Sequence, residues 1–162
     1  MRVSGERLLS APIEDVWAII TDPELVLNYM SGVTRWEVAG DTRTGLGARY
    51  RMLFRIGAAE LGGLVEVVEF DEPCDLAWTS VTGVDHRGRW RLREAGTGRT
   101  RVEFRLAYVV AGAGLSGWLA ERIAAPAVSR DVHHTLERLG RLVEQEQLRE
   151  RAARRRAGAG SS

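Results

Sequence analysis

The sequence predicts an α+β fold, a largely antiparallel sheet followed by one long C-terminal helix. Three observations carry this reading. Strand-like runs joined by short turns recur from residue 2 to residue 109. A helical pattern then takes over, with Leu119, Ile123, Val128, Val132, Leu136, Leu139 and Val143 at helical spacings. Two helix-start signals separate the first strand from the rest.

Residues 2–9, RVSGERLL, read as the first strand. In SAPIEDVWAIITDPELVLNYM, Pro12 suits a first helical turn because its missing N–H would have no partner there, and Glu14 and Asp15 favour the positive end of the helix dipole. Asp22-Pro23-Glu24 repeats the signal and predicts a second short helix around 23–29. Residues 33–39 form a strand. Residues 47–56 alternate, with Ala48, Tyr50, Met52, Phe54 and Ile56 opposite Arg49, Arg51, Leu53 and Arg55. Residues 60–70 form another strand, where Gly62-Gly63 suggests a bulge or sharp curvature and leaves the direction of Glu66 open. Short strands follow at 76–81, 85–93 and 99–109. The long helix is expected over 116–147, kinked near residue 122 by Pro126. Residues 1–147 then make one domain, and 148–162, rich in Arg, Ala, Gly and Ser, a frayed or disordered tail.

Arg87, Arg89, Arg91 and Arg93 alternate with His86, Gly88, Trp90 and Leu92. This row reads as the wet face of a strand, paired with Glu103 or other acids nearby, rather than as a nucleic-acid groove. All 23 basic residues are arginine, yet the net charge is only +1, and residues 1–143 lack the concentrated basic footprint of a nucleic-acid binder. The tail arginines leave weak contact with anionic surfaces open. No run of about 18 apolar residues is present, the N-terminus lacks the apolar stretch of a signal peptide, and Cys74 is the single cysteine. A cytoplasmic location is the resulting expectation.

Few motifs carry chemistry. GDTRTGLG lacks the lysine of a phosphate-binding loop. His133 and His134 are adjacent, so they do not form a zinc-binding i, i+4 pair; Asp131 and His134 can pair on one helix face. Neither a metal nor a cysteine nucleophile is expected. AGAGLSG, residues 111–117, reads as a joint before the long helix, either at a cavity mouth or as a plain connector.

LLSAPIEDVWAIITDPE, GRWRLREAGTGRTRVEF at 88–104 and LERLGRLVE at 136–144 resemble, in this order and spacing, the START-like (SRPBCC) superfamily. That superfamily includes birch-pollen-allergen-like proteins, and its polyketide cyclase/dehydrase-like members are the most similar. The resemblance spans roughly residues 3–145. It implies a helix-grip fold, a seven-stranded curved antiparallel sheet wrapped around the C-terminal helix, with two short helices after the first strand. It also implies an apolar cavity between sheet and helix, and no organic cofactor.

On that architecture Tyr50, Met52, Phe54, Trp78, Trp90, Phe104 and Tyr108 face the cavity from the sheet, and Trp118, Leu119 and Ile123 from the helix. Each is either a ligand contact or ordinary core. His86 shares a face with Trp90, so it is the candidate general base, with Tyr50 or Tyr108 as donor to an oxyanion. The leading expectation is binding of a hydrophobic, lipid-like or polyketide-like molecule by a monomer or homodimer. A cyclase or dehydratase using those acid-base residues is the alternative. A protein-interaction or stress-related role, through the basic tail or a patch at Trp17 or Trp36, is a third.

Overall fold

Apolar residues at every second position demand a surface to cover them, and the long helix supplies it. The computed structural model describes residues 1–109 and 115–160, with side chains described at 1–109 and 124–160. The strands are β1 (Arg2–Leu9), β2 (Val33–Ala39), β3 (Arg49–Ile56), β4 (Ala59–Asp71), β5 (Asp75–Ser80), β6 (His86–Glu94) and β7 (Thr100–Tyr108). Helices α1 (Ile13–Thr21) and α2 (Val26–Tyr29) follow β1, and α3 (Leu115–Ala159) ends the chain. The seven strands form one antiparallel sheet in the order β1-β7-β6-β5-β4-β3-β2. Only β1 departs from a simple meander, returning to pair with β7 from Arg2↔Ala107 to Leu9↔Thr100.

Helix α3 lies against β1 and β7 and touches β3, α1 and α2. Val128, Val132, Leu136, Leu139 and Val143 are buried, as the spacing predicts. Gly5 allows the close approach: a Cβ there would sit 2.8 Å from Leu136 Cδ1 and 3.2 Å from Val132 Cγ1. Polar contacts fix the ends of the grip. Gln147 Nε2 donates to Asp15 at 3.1 Å, joining α3 to α1. At the other end, Ser31 N–H donates to Thr135 Oγ1 and Ser31 Oγ donates to Asp131, both at 2.9 Å.

The inner face carries a continuous aromatic chain. Trp90 stacks on Phe104 with centroids 4.2 Å apart, and Phe104 stacks on Trp78 at 6.1 Å. Trp78 meets Trp36 edge-on at 6.0 Å, and Trp36 stacks on Tyr50 at 4.8 Å. Trp78 reaches Phe104 by lying across Gly88, where a Cβ would fall 2.0 Å from its ring.

Outside, the arginine row is spread over carboxylates. Arg93 reaches Asp75 at 2.8 Å and Arg91 reaches it at 3.3 Å, while Arg89 binds Glu69 at 2.6 Å. Glu103 takes Arg105 at 2.6 Å and Arg91 at 3.9 Å. Asp75 is the buried member of this set. Burial raises its pKa, but hydrogen bonds from Arg93 and Arg91, with the charges of Arg93 and Arg89, pull it below its ordinary value of 3.8.

Several boundaries differ from expectation. The bulge is not at Gly62-Gly63, which stay in register with Leu53 and Met52. The register shifts between Val67 and Glu69, turning Val68 outward. The two glycines instead permit close backbone approach, since a Cβ on Gly63 would fall 2.0 Å from the Thr82 carbonyl oxygen. Glu66 points outward and binds Arg49 at 2.7 Å. Helix α2 starts later than expected, at Val26. Helix α3 runs through Pro126 and past 147 to Ala159, so residues 148–159 are helical rather than frayed. Strong helix formers fill that stretch, and Arg149–Glu146 and Arg154–Glu150 pair at i,i+3 and i,i+4.

Two outcomes follow from this packing. Gly88→Ala should lower stability by about 1–3 kcal/mol through overpacking, read as a lower urea midpoint with a reduced near-ultraviolet aromatic signal. Asp75→Asn should cost about 2 kcal/mol, the scale of a charge-assisted hydrogen bond. Because the Asp75 pKa is lowered in the fold, its contribution is full above the unfolded value near 4 and lost as pH falls through the native one. The wild-type protein should therefore lose more stability on acidification than Asp75→Asn.

Candidate functional site

Among the described residues, two small spaces remain between the sheet and the helices, and Trp78 and Met30 border both. The first, about 50 Å³, lies under α3. Its sheet wall comes from Met52, Phe54, Trp78, Phe104 and Leu106, and its helix wall from Val128 and Val132. The second, about 30 Å³, lies under α1 and α2 and is bordered by Ile20, Tyr29, Trp36, Tyr50 and Trp90. Outside the first space is an open depression of about 760 Å³ between the β3–β4 hairpin, the β5–β6 loop and α3. Phe54, Ile56 and Tyr108 border both the first space and this depression, so they form the partition between interior and mouth.

His86 opens β6 with its ring on the inner face, as the alternation predicts, and is 3% exposed. Its main-chain N–H donates to Ser80 Oγ at 3.2 Å. Its Nδ1 lies 2.8 Å from the Val84 carbonyl oxygen. A carbonyl only accepts, so Nδ1 carries the proton and Nε2 is left with a lone pair. That Nε2 is buried without a partner among the described residues. Burial pushes the imidazole pKa below 6.5, against the opposing effects of the Val84 hydrogen bond and the Asp85 charge. The side chain is therefore a neutral hydrogen-bond acceptor at neutral pH, with the Phe54 ring 5.7 Å away.

Tyr108 stands directly opposite His86 in the β6–β7 register, and its hydroxyl donates to Met1 Sδ at 3.2 Å. Tyr50 does not join them. Its hydroxyl donates to the Arg43 carbonyl at 2.6 Å, and the residue borders the second space. Burial raises its pKa, with Thr44 and Arg43 acting in the opposite direction. The first space thus gathers Met52, Phe54, Trp78, His86, Phe104 and Tyr108 of the expected residues, whereas Tyr50 and Trp90 fall in the second. Trp118, Leu119 and Ile123 lie on α3, but their side chains are outside the described ones, as is most of the glycine-rich segment before the helix.

The loop after α2 was not foreseen as a wall. Met30, Ser31 and Gly32 border the first space, with Asp131 and Thr135 of α3. Asp131 serves Ser31 there, and His133 Nδ1 donates to the Ser129 carbonyl at 2.8 Å. Trp17 and Trp36 do not form an exposed patch: Trp17 is 3% exposed and packs edge-on against Phe70, and Trp36 is half-buried on Tyr50. Among the described residues, no group of three or more His, Cys, Asp or Glu is placed to hold a metal ion, and no helix is long and apolar enough to cross a membrane. The arrangement can hold an apolar body, accept one hydrogen bond at His86 Nε2 and donate one from Trp78 Nε1, which also lacks a partner among the described residues.

Residues 1–144 match the family described as polyketide cyclase / dehydrase and lipid transport. No curated protein matches the chain in sequence. Among solved structures, TTHA0849 from Thermus thermophilus is 24% identical, with a TM-score of 0.78 over 90% of this chain and 99% of that one. The ZhuI aromatase/cyclase from a Streptomyces species is 18% identical, with a TM-score of 0.76 over 90% of this chain and 94% of that one. A START superfamily protein from Mycobacterium smegmatis is 17% identical, with a TM-score of 0.70 over 89% and 97%. These likenesses establish the helix-grip fold, and the sequence match over residues 1–144 establishes the lineage: the chain belongs to the polyketide cyclase/dehydrase and lipid-transport family.

Proposed function

We propose that the protein binds a hydrophobic small molecule, lipid-like or polyketide-like, between the sheet and α3. The observation that carries this reading is the apolar space beside His86, which shares Phe54, Ile56 and Tyr108 with the open depression outside it. The closed space of about 50 Å³ holds little more than water. Ligand sites are roughly 300–1,000 Å³, so loading requires the partition to swing outward and merge the space with the mouth. Phe54 is the natural mover, because it is half-buried and opens onto both.

A second reading, a cyclase or dehydratase, draws support from the bare Nε2 of His86. A neutral imidazole in a dry pocket can take a proton from an acidic carbon or hydroxyl of a bound substrate and return it to a leaving hydroxyl. Tyr108 faces it across the β6–β7 ladder. Tyr50 is a weak candidate for the oxyanion donor, since its proton is committed to the Arg43 carbonyl.

Displacement of a fluorescent apolar probe tests the binding reading. Val128→Phe places a ring in the first space and should weaken probe binding at least tenfold. Phe54→Ala should admit larger probes and speed their uptake. Unchanged binding in a folded Val128→Phe protein would overturn the reading. For any compound that is turned over, His86→Ala should lower kcat about 100-fold or more with little change in probe affinity; unaltered kcat would remove His86 as base.

A further inference from the structure

We infer that the cavity selects a neutral ligand hydroxyl, read by His86 and Trp78 together, and discriminates against carboxylates. The inference rests on the hydrophobic-ligand reading and deepens it. Two residues that border the first space each hold a buried polar atom without a partner among the described residues: His86 Nε2, an acceptor, and Trp78 Nε1, a donor. Their residues are 3% and 4% exposed. They sit close together on the inner face, because Trp78 pairs with Gly88 and His86 lies two residues earlier on the same strand. Such diagonal neighbours are within reach of aromatic side chains.

The protonation pattern gives the pair its chemistry. Nδ1 is held by the Val84 carbonyl, so Nε2 has only a lone pair to offer. A hydroxyl donates to that lone pair and accepts from the indole N–H through the same oxygen. An ether or ketone can only accept, so it satisfies Trp78 and leaves His86 unmet. A carboxylate places negative charge against the imidazole lone pair, in a space that Asp131 already borders with a negative charge; Arg55, the cation among the lining residues, is exposed and paired with Glu60 at 3.5 Å. A ligand that covers these atoms must meet both hydrogen-bonding groups or lose affinity. The flat walls of Phe54, Trp78 and Phe104 suit an aromatic body attached to that hydroxyl.

The test is a matched series on the full chain, with affinities for 2-naphthol, 2-methoxynaphthalene, naphthalene and 2-naphthoate measured by probe displacement at pH 7.5. Naphthol is less hydrophobic than naphthalene, so a purely apolar space would prefer the hydrocarbon. The expected order is naphthol tightest by at least tenfold, then the ether, then naphthalene, with naphthoate weakest. Naphthol should also shift the Trp78 indole N–H and the His86 Nε2 resonances in nitrogen-15 spectra. In a folded His86→Leu protein, naphthol should fall to the level of the ether. Naphthalene or naphthoate binding as tightly as naphthol would overturn the inference and leave the hydrophobic-ligand reading standing. Failure of all four compounds to bind would overturn both.

Discussion

The interior is organised by the Trp78 indole lying flat across Gly88. A side chain of any size at Gly88 would meet the ring at 2.0 Å, so a strand position without a Cβ is the condition for the packing above it. With the ring in place, Trp78 links Phe104 to Trp36 and completes an aromatic chain from Trp90 to Tyr50. The same ring, with Met30, lies between the two spaces beneath the helices. The polar groups fall on either side of that boundary: His86 and Tyr108 on one, Tyr50 on the other.

Each strand then serves two chemistries at once. On β6 the inward positions build an apolar wall, with His86 the polar exception, while the outward positions carry arginines. Asp75 and Glu69 keep that outer row from being a simple cationic strip. The surface pairs contribute little individually. The buried Asp75 matters more, because it is the carboxylate that Arg89, Arg91 and Arg93 share.

Much of this was legible along the chain. Period-two alternation identified the inner face of β3, β6 and β7 and placed His86 inward, since every residue needed for that inference lies within one strand. The helical spacing likewise gave the buried stripe of α3. What failed depended on distant partners. Gly62-Gly63 looks like a bulge in isolation, but its constraint is the Thr82 carbonyl beyond the next hairpin. The latch from Ser31 to Asp131 and Thr135 joins residues about a hundred positions apart, and no local pattern signals it. Tyr50 carried the right alternation for the cavity, yet its separation from His86 is set by where another residue's ring comes to rest.

Helix α3 outruns the domain that grips it. Among the described residues its last tie to the body is Gln147 with Asp15, and residues 148–160 are exposed throughout. The body nucleates this extension, so the costly first turn is already formed, and only propagation holds the remainder. Its unwinding need not wait for the cooperative transition of the core. On heating, far-ultraviolet circular dichroism should show a gradual helical loss while the near-ultraviolet bands stay constant, and amide exchange should grow steadily faster from Gln147 toward the terminus. The terminal turns thus follow helix–coil propagation and not the cooperative transition of the core.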